Sequence, residues 1–127
     1  MNRHTHLLIG LGLAHALLIP AHAQTDPGLQ AIGDLAQLNG KALACQDLPS
    51  ARRAKGLMLA HAPKTARFGS AFEEGTQQSY LTQTRSEVAC LDAITLSARI
   101  DAVAQRLQTS LPANATAATV KPSTESQ

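Results

Sequence analysis

The chain is poor in aromatic side chains, with no tryptophan, two phenylalanines and one tyrosine in 127 residues. Proteins that bind single-stranded nucleic acid usually stack the bases on aromatic rings. Only Phe68 lies close in sequence to a cluster of basic residues. The sequence therefore argues against nucleic acid as a partner.

Groups that carry catalysis are also scarce. His61 is the only histidine beyond residue 23, the serines lie outside any G-x-S-x-G context, and no glycine-rich phosphate loop is present. The carboxylates Glu73, Glu74 and Asp92 are candidate partners for His61. As a pair, Glu73 and Glu74 are typical of two solvated charges, because neighbours on a helix point in different directions. We interpret His61 as a packing residue or a cap for the last carbonyls of its helix, and we expect neither enzyme activity nor a cofactor.

No apolar run is long enough for a membrane-spanning helix, which needs about 20 residues. The longest run covers residues 7–19; Arg3 precedes it, Pro20 breaks it, and Ala-His-Ala follows at residues 21–23. A short basic start, an apolar stretch and a small-x-small site are the three parts of a secretory signal. The pattern predicts a signal peptide over residues 1–23 that is cleaved before Gln24, and hence a periplasmic or secreted protein without a stable membrane anchor.

Removal of residues 1–23 leaves 104 residues with ten basic and nine acidic side chains. A net charge near +1 says little about partners, and this length suits one small domain. From Pro112 the chain is small, polar and interrupted by proline, a composition typical of disorder. We therefore predict a folded domain over residues 24–111 and a disordered tail over residues 112–127.

Cysteine is limited to Cys45 and Cys90, which are 45 residues apart. In an exported protein a single pair of thiols normally forms a disulfide. A redox site would favour a C-x-x-C spacing, and zinc would need more ligands than two cysteines and one histidine supply. We predict a structural disulfide and no metal site.

Helical periodicity fills most of the mature chain, and no alternating run long enough for a strand is present. Asp26 and Pro27 predict the start of a first helix that ends near Gln46, with residues 39–40 as its weak point. Asp47-Leu48-Pro49 is the predicted break that ends it. Ser50 is the predicted cap of a second helix over residues 51–62. A third helix is predicted over residues 65–82, followed by a loop or an extra turn over residues 83–90.

The fourth predicted helix follows Asp92 as its cap. Its apolar residues recur at steps of three and four: Ala93, Leu96, Ile100, Val103 and Leu107. Such a narrow stripe suits packing against another helix.

These elements predict an all-α fold, a small bundle of three to four helices stapled by one disulfide. Because Cys45 closes the first helix and Cys90 precedes the last, the disulfide would tie those two helices at one end of the bundle. The helices between them carry all three aromatic side chains and would complete the core.

One basic cluster stands out. Between Asp47 and Glu73 the chain has no acidic residue, and five basic residues fall within 16 positions: Arg52, Arg53, Lys55, Lys64 and Arg67. This basic edge is either a solvated helix face or a site for phosphate, an anionic lipid surface or an acidic partner.

Two functional hypotheses follow from a stapled bundle with little catalytic equipment. The first is a non-catalytic, exported binding or accessory protein that presents a helix face or groove to another envelope protein. The second is a stress-protective, chaperone-like protein that acts through its basic face. The oligomeric state stays open.

Overall fold

A computed structural model describes residues 26–113, which form four α-helices and, within that range, no strand. The helices are α1 (Pro27–Ala44), α2 (Leu48–His61), α3 (Ala66–Arg85) and α4 (Ala93–Ser110). The predicted all-α class is confirmed. The predicted signal peptide over residues 1–23 lies outside the described residues, and so does the predicted tail beyond residue 113.

Aspartate carboxylates cap α1 and α4, as predicted. Asp26 accepts hydrogen bonds from the backbone N–H groups of Gly28 (2.9 Å) and Leu29 (3.2 Å). Asp92 accepts from the backbone N–H of Thr95 (2.9 Å) and from its hydroxyl (2.7 Å). These two bonds hold the pKa of Asp92 below its ordinary value. The stabilisation is therefore present above the ordinary carboxyl pKa and is lost as the pH falls through the lowered folded-state pKa.

The prediction for the start of α2 was wrong. The helix begins at Leu48 rather than residue 51, and its cap is Asp47, whose Oδ1 accepts from the N–H of Ser50 at 3.2 Å. Pro49 lies in the first helical turn, where a missing amide leaves no hydrogen bond unmade. The proline therefore belongs to the start of α2 and is not what ends α1.

The end of α1 is instead a backbone turn. Gln46 adopts a positive φ of 59°, a conformation that glycine usually supplies at this position. Its N–H donates to the Leu43 carbonyl at 3.2 Å, and the N–H of Asp47 donates to the Ala42 carbonyl at 2.9 Å. Two of the last carbonyls of α1 are satisfied in this way.

Helix α3 extends to Arg85, three residues beyond the predicted end at residue 82. The first part of residues 83–90 is thus the extra helical turn, one of the two alternatives that the sequence left open. A hydrogen bond from the Gln83 side chain to the Val88 carbonyl, at 2.8 Å, links this turn to the segment that leads into α4.

The core is built around α1, which contacts α2, α3 and α4, while α2 also contacts α4. The largest fully buried side chains come from α1 and α4: Ile32, Leu35, Leu96, Ile100 and Leu107. The predicted stripe of α4 is therefore confirmed except at Ala93, which is exposed. Phe68 and Phe72 of α3 complete the core, whereas Tyr80 is exposed.

Glycines allow α1 and α3 to approach closely. A Cβ added to Gly40 would overlap the backbone carbonyl of Thr76 and lie 2.7 Å from the Ser79 Cβ, and one added to Gly75 would lie 2.8 Å from the Ala36 Cβ. The low helix propensity of Gly40 is thus compensated by packing that a side chain would prevent. The weak point expected at residues 39–40 is a site of tight contact between helices.

The predicted disulfide is confirmed. Cys45 and Cys90 are bonded, with their Cα atoms 5.8 Å apart. Cys45 follows the last residue of α1, and Cys90 lies just before the cap of α4. The bond therefore ties the end of α1 to the start of α4.

The close approach of α1 and α3 predicts that Gly40→Ala destabilises the protein, because the backbone of α3 cannot yield to a methyl group. We expect a loss of about 1–3 kcal/mol in the free energy of unfolding, measured by urea denaturation followed by circular dichroism. Gly56→Ala on α2 is the control, since no atom lies within 4 Å of its added Cβ; it should gain about 0.5–1 kcal/mol. Equal stabilities of the two variants would contradict the close approach.

Replacing both cysteines by serine should lower the free energy of unfolding by about 4 kcal/mol, because the unfolded chain loses the constraint of a 45-residue loop. Urea denaturation with circular dichroism is the measurement. Wild-type protein treated with dithiothreitol is the control and should match the double variant. A loss below about 1 kcal/mol would show that the disulfide adds little to the bundle.

Candidate functional site

A groove runs between α2 and α3. Both helices pack on α1 but make little contact with each other, and the space between them has a volume of about 670 Å³. Asn39 and Leu43 of α1 contribute to its lining, between the walls formed by α2 and α3. We call this space the α2–α3 groove.

Large apolar side chains are exposed in the α2–α3 groove. The exposed fractions are 38% for Leu43, 49% for Leu48, 62% for Leu59 and 41% for Tyr80. Met58 and Phe72 add further apolar lining. Contiguous apolar surface on a small protein commonly marks an interaction site.

The pattern of burial along α2 is the reverse of that of an ordinary core helix. Its buried apolar residues are the small Ala51 and Ala54, whereas the leucines at positions 48 and 59 are exposed. Leucine is normally among the most buried residue types. The large apolar side chains of α2 therefore contribute to the groove more than to the core.

Helical spacing aligns the residues of both walls. On α2 the groove residues Leu48, Arg52, Lys55 and Leu59 follow steps of four, three and four. On α3 the groove extends from Gly69 to Tyr80. Each wall is therefore about 16 Å long, or three helical turns.

The two walls carry opposite charges. Arg52 and Lys55 line the α2 side, and Glu73 lines the α3 side. All three side chains are exposed, and among residues 26–113 none of them forms an ion pair. The α2–α3 groove is thus an apolar trough with a basic rim and an acidic rim.

The remaining residues of the basic edge lie elsewhere. Arg53 forms an ion pair with Asp101 of α4 and donates to the Ser97 hydroxyl at 3.1 Å. Arg67 lies 3.5 Å from a carboxylate oxygen of Asp26. Lys64 is exposed in the loop between α2 and α3.

The structure therefore divides the predicted basic edge and places only Arg52 and Lys55 at the groove. The acidic partners of Arg53 and Arg67 come from α4 and from the start of α1, far away in sequence. Anion binding stays a prediction, and the groove pair is where the structure leaves room for it.

His61 has a structural contact. Its side chain is buried, at 8% exposure, and its Nδ1 lies 2.7 Å from the carbonyl oxygen of Leu111. A carbonyl only accepts, so Nδ1 carries the proton and donates. Leu111 follows the last residue of α4, and His61 therefore ties the end of α2 to the end of α4 rather than capping its own helix.

The described residues 26–113 contain no group of three histidine, cysteine, aspartate or glutamate side chains that could hold a metal ion. Within the same range, none of the helices has both the length and the apolar character needed to cross a membrane.

No family model matches this chain, and comparison with curated proteins and with solved structures also finds no match. Its function has to be argued from the site itself. The α2–α3 groove is the candidate site, since it combines a volume of about 670 Å³ with an apolar lining and with charged side chains that form no ion pair among residues 26–113.

The sequence analysis did not predict that the leucines of the groove are exposed. Leu48 was assigned to the break between helices, because Pro49 was interpreted as ending the first helix. The signal that could have found them is the repeat at positions 48, 52, 55 and 59, which forms a second stripe on α2 once the helix starts at Leu48.

The contact of His61 with Leu111 predicts that His61→Ala destabilises the bundle. We expect a loss of about 2 kcal/mol in the free energy of unfolding, since the variant leaves a cavity and a carbonyl without its donor. Lys64→Ala, an exposed neighbour in the following loop, should change it by less than about 0.5 kcal/mol. Similar unfolding curves for the His61→Ala and Lys64→Ala variants would contradict a structural role of His61.

Proposed function

We propose that this chain is an exported, non-catalytic binding protein that holds another envelope protein in the α2–α3 groove. The observation that carries the proposal is the concentration of exposed large apolar side chains in one groove of about 670 Å³. Apolar surface in contact with water costs about 25 cal/mol per Å². Binding a partner would remove that cost.

The scaffold supports this use of the groove. Leu43 and Leu48 flank Cys45, which is bonded to Cys90, so the disulfide fixes the turn that places them beside each other. At the other end of α2, the His61 side chain forms a hydrogen bond with the carbonyl oxygen of Leu111. A wall held at both ends, as α2 is, loses little conformational entropy when a partner binds.

Export is supported by the pattern of residues 1–23 and by the disulfide, which is typical of oxidising compartments. A non-catalytic role is supported by the hydrogen bond that occupies His61, the sole histidine after residue 23.

The alternative is the stress-protective chaperone that acts through a basic face. It differs in the range of its ligands: a chaperone binds many unfolded chains, whereas an accessory protein binds one folded partner. Since Arg53 and Arg67 are already paired, a basic surface would be reduced to Arg52, Lys55 and Lys64.

Photo-crosslinking in the envelope of the producing cell tests the proposal. Benzoylphenylalanine at position 59, in the groove, should give one discrete adduct. The same residue at position 94 is the control, because Ile94 is 84% exposed but lies on α4 outside the groove, and it should give none.

A protein partner adds kilodaltons to the cross-linked mass, and a small ligand adds only its own mass. Many adducts at position 59 would favour the chaperone. Equal adducts at both positions, or none at position 59, would contradict binding in the groove.

A further inference from the structure

Building on the proposed function, we propose that the occupant of the α2–α3 groove is an amphipathic α-helix of the partner protein. This helix carries acidic residues on the flank that faces Arg52 and Lys55. Its apolar face lies on the leucines of the groove, and its outer face is polar.

The openness of the groove favours a helix over a lipid chain or a compact small molecule. Small-molecule sites bury roughly 70–90% of their ligand, but Leu59 and Leu48 are 62% and 49% exposed on one wall alone. An acyl chain in such an open trough would leave apolar surface in water. An amphipathic helix does not, because the side that faces the solvent is polar.

The dimensions of the groove fit the same occupant. Walls of about 16 Å match three turns of helix, which is the length over which anchors at i, i+3 or i+4, and i+7 engage a groove. The floor is helix α1, which already packs against three helices. A helix in the groove would become its fourth neighbour and would contact α2 and α3 at once.

Charge complementarity identifies the flank. Arg52 and Lys55 are three residues apart, so they lie on the same side of α2. Among residues 26–113 neither of them forms an ion pair, and the acidic residue that lines the groove, Glu73, lies on the opposite wall. Acidic side chains on the bound helix would form ion pairs with Arg52 and Lys55, and a basic residue on its other flank would face Glu73.

Opposite charges on the two walls would also select how the helix lies. Complementary charges across an interface contribute mainly to specificity and orientation. A single anionic head group would meet the basic rim but leave Glu73 unpaired. A helix with one acidic and one basic flank satisfies both rims.

Binding of synthetic peptides tests the inference, with Tyr80 as the reporter. Tyr80 is the only tyrosine, it lines the groove, and the chain has no tryptophan. Its fluorescence therefore reports occupancy of the groove by a peptide that lacks aromatic residues. The probe is a helical peptide of roughly 15 residues with leucine anchors, glutamates on one flank and lysines on the other; the control peptide has lysines on both flanks.

We expect the mixed peptide to change the Tyr80 fluorescence saturably and the all-lysine peptide to bind at least about tenfold more weakly. In the protein, Arg52→Glu/Lys55→Glu should weaken binding of the mixed peptide by a similar factor. Lys64→Glu/Arg99→Glu is the matched control, since it makes the same change in net charge at exposed positions outside the groove, and it should bind as the wild type does.

Equal binding of the two peptides, or equal weakening by both double variants, would overturn the charge assignment. Saturable binding of laurate with no binding of either peptide would overturn the helix as occupant. The proposed function fails separately, when cross-linking at position 59 gives no specific adduct. A small-ligand adduct at position 59 would contradict both a protein partner and a helical occupant, but it would still support binding in the groove.

Discussion

The close approach of α1 and α3 is the constraint on which the rest of the bundle depends. Along its whole length α3 buries only Phe68, Phe72 and Ser79, so hydrophobic burial alone holds it weakly. Gly40 and Gly75 let the two backbones meet, and the Ser79 hydroxyl donates to the Gln37 carbonyl at 2.7 Å. Because α3 is held along this seam, its adjacent side can form the acidic wall of the groove without close packing against α2.

The attachment of α2 follows a different principle. Its buried residues are small, apart from His61, and small side chains contribute little burial energy. The partly buried Leu57 and Met58 add packing against the core. Contacts at the two ends of the helix supplement this packing: the turn next to the Cys45–Cys90 disulfide at the start and the His61–Leu111 hydrogen bond at the finish. Leu48 and Leu59 remain exposed and line the groove.

Local signals allowed the helices, the Asp26 and Asp92 caps, the buried stripe of α4 and the cysteine pairing to be predicted from sequence. The start of α2 was missed because Pro49 fits both the end of one helix and the first turn of the next. The groove could not be predicted, since periodicity shows which face of a helix is apolar but not which apolar faces meet. The division of the basic edge could not be predicted for a related reason: Asp26 and Asp101, which pair with two of its members, are remote in sequence.

Arg52 and Arg53 show how adjacent residues come to serve different purposes. Neighbours on a helix point about 100° apart, so Arg53 reaches Asp101 of α4 while Arg52 lines the groove. The same division holds for apolar residues, because the side chains of the core, such as Ile32 and Ile100, are distinct from the leucines of the groove. Phe72 serves both, since it belongs to the core and also lines the groove. Changes at the exposed groove residues Leu48, Arg52, Lys55 and Leu59 should leave the bundle folded, and a loss of binding there can be attributed to the surface itself.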